Sequence, residues 1–354
     1  MKQNVAETIT KLNRALAQDF RLMPICALDS PVFLAIALPT SEGVTGLKPR
    51  LPAGRGLTLQ QAMIAAGAEA VELRASLAQR HLSTLSAFPR RGGLAMAAAL
   101  DLLTGEPVPI PAQEVYLDCA AILSEPLVFD ANSTGCAAGA TRNDATETAL
   151  WECIERDAVA LWWHGGLAAG PLSLDLIDRY QPRLMWWLDQ RDRSTFLLDL
   201  TTDIGLPVVA AISAKPDRRD VALGTAARPL LADAALAAVT EMVQTEVSMK
   251  DARQMQDPEL TDRDAQAPIL TLPQLQLSDR TPPQASPQRV ADLMQRLADL
   301  GHRVLAFDMT LPGDPLPSMR VLVPGLCAMG GHIDTGQHRR LCPGHPAPNF
   351  PEPF

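Results

Sequence analysis

Two apolar stretches, residues 62–73 (AMIAAGAEAVEL) and 149–163 (ALWECIERDAVALWW), each carry two glutamates three residues apart. These are Glu69/Glu72 and Glu152/Glu155. On a helix the i,i+3 spacing puts both carboxylates of a pair on one face, where like charges repel. A lone pair of this kind is ordinarily a solvated face. Set among Ala, Leu and Trp, and occurring twice, the pattern leaves two readings open: solvated faces, or helices whose acidic faces meet cations. Oxygen-only donors suit Mg²⁺, which takes one or two carboxylates together with substrate phosphates.

The rest of the chain alternates helix and strand signals. Helices are expected at 5–20, 59–79 with Thr58 as N-cap, 144–163, 232–249 and 289–300 with Gly301 as C-cap. Strands are expected at 32–38, 196–201, 207–213, 303–309 and 320–323, with strands and turns over 94–121. The pattern predicts an α/β (α+β) fold in which helices pack on β-sheets. Length and 47% hydrophobic content support one sizeable domain over 1–354, with residues 1–50 as an N-terminal helix and strand. Residues 251–287 are polar and proline-bearing and read as a mobile insertion. Residues 343–354 hold five prolines and read as an extended strap.

Net charge is −9, and no dense Lys/Arg run is present, so nucleic acid is not an expected partner. The N-terminus is polar and amphipathic rather than a signal peptide, and 32–38 is too short to span a bilayer. A cytoplasmic protein without a membrane partner is expected. The six cysteines form no CxxC pair and read as reduced, mostly buried thiols.

The segment before the second glutamate pair is small and Gly-bearing: Asn132-Ser-Thr-Gly-Cys-Ala-Ala-Gly-Ala-Thr141. Such a loop entering a helix lets backbone N–H groups approach an anion, or it is simply a capped loop-to-helix turn. Neither GxxxxGK[ST] nor GxGxxG occurs in the chain. Cys136 reads as an apolar filler. His164 reads as a helix-end cation, and His332, His338 and His345 show no ligand spacing.

Asn132–Asp157 resembles, without gaps, the S-N-G-x-A-A-G-N-T-x-x-E-A…E-x-x-E-R-D-A segment of the YcaO family. Five further stretches resemble the family's motifs, one before this segment and four after it. Gly54-Arg-Gly-Leu with Gly67-Ala-Glu-Ala-Val-Glu72 is similar to G-K-G…S-A-x-x-E-x-x-E-R. Residues 199–211 are similar to D-x-T-x-D-x-G-x-P-V-x-x-A, and 235–244 to A-L-x-R-A-L-T-E-x-x-Q. Residues 319–326 are similar to V-x-R-V-I-V-P-G-L, and the end Pro351-Glu-Pro-Phe354 to the family's proline-rich terminus. Departures stand at Arg55 for Lys, Leu73 for Arg, Ala140 for Asn and Asp144 for Glu.

The resemblance implies a YcaO-type fold surrounding a Mg-ATP site, and ATP-dependent activation of a peptide backbone amide by phosphorylation. The product would be azoline heterocycles (thiazole or oxazole) in a ribosomally synthesised peptide. Thioamide formation aided by a TfuA-like protein, or a non-catalytic accessory role binding nucleotide and a partner, are the alternatives. Nucleotide contacts fall on Arg55, Glu69, Glu72, Asp144, Glu152, Glu155, Arg156, Glu241 and Gln244. The Mg²⁺ ligands among these are Glu69, Glu72, Asp144, Glu152 and Glu155. Pro351, Pro353 and Phe354 would assist amide proton transfer. About fifty residues precede the first motif. A separate leader-recognition or ThiF-like protein is therefore expected beside the precursor peptide, with a homodimer or hetero-complex as the assembly.

Overall fold

The computed structural model describes residues 2–25, 30–217, 220–254, 290–327 and 335–342. The expected insertion lies almost wholly outside the described residues. The expected strap, with Pro351, Pro353 and Phe354, lies entirely outside them, as do His332 and His345. The chain divides into two compact units. The first comprises Met1–Cys26, Phe33–Cys153 and Arg303–Pro324; the second comprises Ala27–Val32, Ile154–His302 and Gly325–Phe354. The boundary falls inside the helix Arg142–Trp163, so Asp144 and Glu152 count with the first unit and Glu155 and Arg156 with the second.

In the first unit, Phe20–Ile25, Phe33–Pro39 and Ala53–Gly56 form an antiparallel sheet. The helices Lys2–Leu16 and Leu59–Ser76 pack on it. Leu12, Leu16, Phe20, Leu22, Ala35, Ala37, Ala66 and Ala70 are buried together between them. The Leu59–Ser76 helix opens with a full capping box. The Thr58 hydroxyl accepts from the Gln61 amide, and the Gln61 side chain accepts from the Thr58 amide. Helix and sheet meet backbone to backbone at Gly54, where an added Cβ would lie 2.1 Å from Ala66 N and 2.4 Å from Ala62 O.

A second, six-stranded antiparallel sheet carries Arg90–Arg91, Leu94–Asp101, Pro107–Pro111, Cys136–Ala138, Leu305–Asp308 and Ser318–Leu322. Three residues of the expected Gly-bearing loop are therefore a strand, paired so that Cys136 faces Arg320 and Ala138 faces Ser318.

In the second unit, an antiparallel sheet runs in the order Ala222–Ala227, Val208–Ala214, Ser194–Asp199, Gly170–Leu172. Every residue of Val208–Ala214 and Ala222–Ala227 is buried. The helix Leu231–Gln254 packs against these two strands. Here too a glycine sets the approach: a Cβ on Gly224 would stand 2.2 Å from Met242 N.

Several boundaries differ from the sequence expectation. The first helix stops at Leu16, and Phe20 already belongs to a strand. The stretch 112–121, expected as strand and turn, holds the short helices Ala112–Val115 and the start of Cys119–Leu123. The strands Ala53–Gly56 and Ala222–Ala227 went unforeseen, because they are built of Ala, Gly, Arg, Leu and Thr and their extended state comes from sheet pairing.

Candidate functional site

In the first unit Glu69 and Glu152 both act on Glu72, and the buried Arg320 acts on Glu72 and Glu152. Glu72 is half-buried on the Leu59–Ser76 helix. Its carboxyl is held well above the usual range by burial, and then by the charges of Glu152 and Glu69. Arg320 and an amide hydrogen bond from Ala138 oppose that rise. Glu69 is exposed and its Oε2 accepts the Ala53 amide at 3.2 Å. Glu152 is half-buried and its Oε2 accepts the Gly135 amide at 3.1 Å. Like charges crowded in a partly desolvated place are what a cation relieves.

Arg320 is the cation of this neighbourhood, and sequence reading passed over it as one residue of a strand motif. It is 4% exposed on Ser318–Leu322. Its Nη1 donates to the Asn132 carbonyl at 2.7 Å and approaches Cys136 Sγ at 3.1 Å. Its Nε has no partner among the described residues. The available signal was a lone arginine amid apolar strand residues, which burial makes costly unless charged neighbours exist. Leu73, where the family has arginine, is buried in the apolar core. The adjacent Arg74 is committed elsewhere, to Asp19, Asp314 and the Ala15 carbonyl.

The Gly-bearing loop is held by its own carboxylates. Gly135, at φ +77°, gives its N–H to Glu152. Any Cβ there would stand 2.2 Å from the Val321 carbonyl oxygen and 2.8 Å from Cys153 Sγ. Thr141 and Asp144 form a reciprocal cap on the helix. The Asp144 amide donates to Thr141 Oγ at 3.1 Å, and Asp144 Oδ2 accepts from the Thr141 amide and hydroxyl at 3.0 and 2.9 Å. The exposed Asp144 thus serves as the capping-box acid of this helix. Burial pushes the Cys136 thiol up to about 11 and the Cys153 thiol up to about 12, so neither is a nucleophile near neutral pH.

Arg55 is half-buried on the strand Ala53–Gly56, next to Gly54, where this strand meets the helix of Glu69 and Glu72.

In the second unit, Glu155 is 7% exposed and doubly held. Its Oε1 accepts from Thr225 Oγ at 2.6 Å and its Oε2 from the Ala227 amide at 3.0 Å. Both donors belong to the edge strand of the four-stranded sheet. Glu241 and Gln244 are half-buried on Leu231–Gln254, the helix that meets this strand at Gly224. Thr225, one residue on, points to the other face. Arg156 is half-buried beside Glu155. Asp157, fully buried, accepts from the Cys327 amide at 2.7 Å, and burial raises its carboxyl to about 6.

Among the described residues, no group of three or more His, Cys, Asp or Glu is arranged to hold a metal ion. The electrostatically linked trio of the first unit has the donor chemistry for Mg²⁺, and Glu72's raised carboxyl is the observation that fits it. No helix among the described residues is long and apolar enough to cross a membrane.

A family model described as "YcaO cyclodehydratase, ATP-ad Mg2+-binding" matches residues 75–327, leaving Glu69 and Glu72 outside the match. An uncharacterized protein of Methanothermobacter thermautotrophicus is 29% identical over 255 residues, 64% of each chain. The uncharacterized protein in the tfuA 3′ region of Rhizobium leguminosarum bv. trifolii is 27% identical over 324 residues, 77% of this chain and 76% of that one. Among solved structures, a heterocyclase in complex with substrate and cofactor superposes with TM-score 0.75 at 20% identity, over 92% of this chain and 53% of its own. The YcaO protein of Methanopyrus kandleri bound with AMPPCP and Mg²⁺ superposes with TM-score 0.65 at 22% identity, over 92% and 90%. The chain shares the fold of these proteins. It spans 64% of the Methanothermobacter relative and about half of the heterocyclase chain.

Proposed function

The chain belongs to the YcaO family, and on that premise we propose that it activates a backbone amide of a precursor peptide by ATP-dependent phosphorylation, giving azoline heterocycles. The observation that carries this is the carboxylate trio Glu69, Glu72 and Glu152 beside Arg320, in which burial, and then the charges of Glu152 and Glu69, hold the Glu72 carboxyl well above its usual range. Bound Mg²⁺ would neutralise phosphate charge. Glu69, Glu72 and Glu152 would hold it, with Arg320 supplying fixed positive charge in the same neighbourhood. Glu155, Arg156, Glu241, Gln244 and Arg55 are proposed as nucleotide contacts on the strength of their motifs. Asp144 and Glu155 are proposed as metal ligands on the same basis; the capping bonds of Asp144 and the Thr225 and Ala227 bonds of Glu155 compete with that role. Pro351, Pro353 and Phe354 are proposed to assist amide proton transfer. A side chain of the peptide adds to the amide carbon, the amide oxygen is phosphorylated, and phosphate departs with that oxygen. The protein contributes orientation and charge.

A separate leader-recognition or ThiF-like protein is the proposed partner, in a cytoplasmic assembly with a second copy or with that partner. A second reading is thioamide formation with a TfuA-like partner. It draws on the printed name of the Rhizobium relative, which places that protein in a tfuA 3′ region. Mass spectrometry of candidate precursor peptides, incubated with protein, Mg-ATP and each partner, separates the two. Loss of water marks an azoline, and a gain of about sixteen mass units marks a thioamide. Unchanged peptide with every partner, together with ATP binding that ignores Glu72→Gln, would reject both.

A further inference from the structure

Two aspartates from different sequence motifs converge in the second unit on one glutamine. Asp157 closes the Glu-x-x-Glu-Arg-Asp run, and Asp203 sits in the turn after the strand Ser194–Asp199. Gln337, 1% exposed, donates from Nε2 to Asp157 Oδ2 at 3.3 Å and to Asp203 Oδ1 at 3.4 Å. Its Oε1 accepts from Arg340 Nη2, and Arg340 Nη1 pairs with Asp203 Oδ2. Asp157 also holds the Cys327 amide, and Arg296 Nε donates to the Asp203 carbonyl at 2.9 Å. The helix Gly336–Leu341 that carries Gln337 and Arg340 is capped by Thr335, whose hydroxyl accepts from the His338 amide. Thr335 Oγ1 also lies 3.1 Å from Cys327 Sγ. A Cβ on Gly165 would stand 3.0 Å from His338, so the helix also sits directly on the end of the glutamate-bearing helix.

We propose that Asp157 and Asp203 are positioning residues, forming with Gln337 and Arg340 a clamp that docks the helix Gly336–Leu341. A six-residue helix has little stability of its own, so its place is set by such contacts. Asp157 is fully buried, and its oxygens are directed at Cys327 and Gln337. It therefore belongs to the clamp and not to the neighbouring nucleotide contacts Glu155 and Arg156. The clamp also fixes the position of Cys342, nine residues before Pro351; any bearing of this on amide proton transfer rests on the proposed function, and the docking itself does not.

The test is hydrogen exchange of the full chain, without nucleotide, read by mass spectrometry over residues 325–342. Asp157→Asn and Asp203→Asn should each speed exchange of the Gly336–Leu341 amides by roughly tenfold or more. Exchange in the strand Ala222–Ala227 should stay unchanged. The two effects should be non-additive in the double variant, because both act through Gln337. The exchanged pair D203R/R340D should restore protection that D203R alone loses. Should D157N fail to fold, D203N and the exchanged pair still decide. Unchanged exchange in D203N, or no restoration by the exchanged pair, overturns the clamp. An ATP affinity within about twofold of the unaltered protein supports the assignment of Asp157. A tenfold loss with unaltered exchange places Asp157 in the nucleotide site instead. A protein that binds no ATP at all defeats the proposed function and leaves the exchange result standing.

Discussion

Glu72 and Glu155 are each the second acid of a Glu-x-x-Glu pair, yet their surroundings differ. Glu155 is enclosed and satisfied, with a hydroxyl on one oxygen and a backbone amide on the other. Glu72 is half-buried beside two other carboxylates, with Arg320 and one amide opposing the rise of its carboxyl. The same sequence pattern thus yields one acid that stabilises an edge strand and one that folding leaves electrostatically frustrated. Frustration of this kind marks a place where a ligand completes the structure.

The largest test of that contrast is stability. Glu155→Ala should cost about 3 kcal/mol, because it strands a buried hydroxyl and a buried amide. Glu72→Gln should cost nothing and should stabilise the protein at alkaline pH, where the ionised carboxylate is disfavoured. Denaturant midpoints at pH 8 would show this, and equal losses in both variants would erase the distinction. Next comes Asp157, whose folded value of about 6 stands above its ordinary 3.8. The folded state then binds the proton more tightly, so this residue's contribution to stability is lost as pH rises from about 4 to about 6. The span is on the order of 3 kcal/mol. The Tm of Asp157→Asn minus that of the unaltered protein should therefore climb over that window and be flat above it.

Cation binding gives a smaller effect. Glu72→Gln or Glu152→Gln should weaken Mg-ATP by about tenfold, near 1.4 kcal/mol, in titration calorimetry. Binding should also release a proton, because Glu72 is raised and Mg²⁺ takes the ionised form. Affinity should accordingly rise with pH, and heats measured in two buffers would reveal the proton. The smallest effect on stability belongs to Asp144→Ala, at about 0.5–1 kcal/mol of helix-cap stability. A tenfold loss of Mg-ATP affinity in the same variant would support the proposed ligand role, and unchanged affinity would leave Asp144 to the cap alone.

How much of this was legible depended on which physical signal each element carries. The helices Leu59–Ser76 and Arg142–Trp163 announced themselves through apolar runs and through Thr58. The capping partnership of Thr141 and Asp144 was also written in the chain, as a Thr-x-x-Asp entry to the helix. The ligand reading of Asp144, taken from the family motif, hid it. Ala222–Ala227 was not readable, since Ala-Leu-Gly-Thr-Ala-Ala has little intrinsic strand preference and is extended only because Val208–Ala214 pairs with it. Arg320 escaped for a different reason: a motif names a residue, but only the fold shows which carboxylates surround it. Gln337, the hub that joins Asp157 to Asp203, had no signal at all, because its role lies in contacts 134 and 180 residues away in sequence.

The glycines at 54 and 224 have a consequence for how the acidic helices respond to change. Each lets a helix rest on a strand main chain to main chain, with Ala62 and Ala66 in one unit and Ala238 and Met242 in the other. Side-chain cores yield when residues are exchanged, but these two contacts act as fixed gauges whose thickness is that of the backbone itself. Repacking Leu12 or Leu22 can loosen the core around Glu69 and Glu72, yet it cannot bring their helix closer to the sheet. A single methyl at position 54 or 224 would lift a whole helix, and with it the acids that the helix carries.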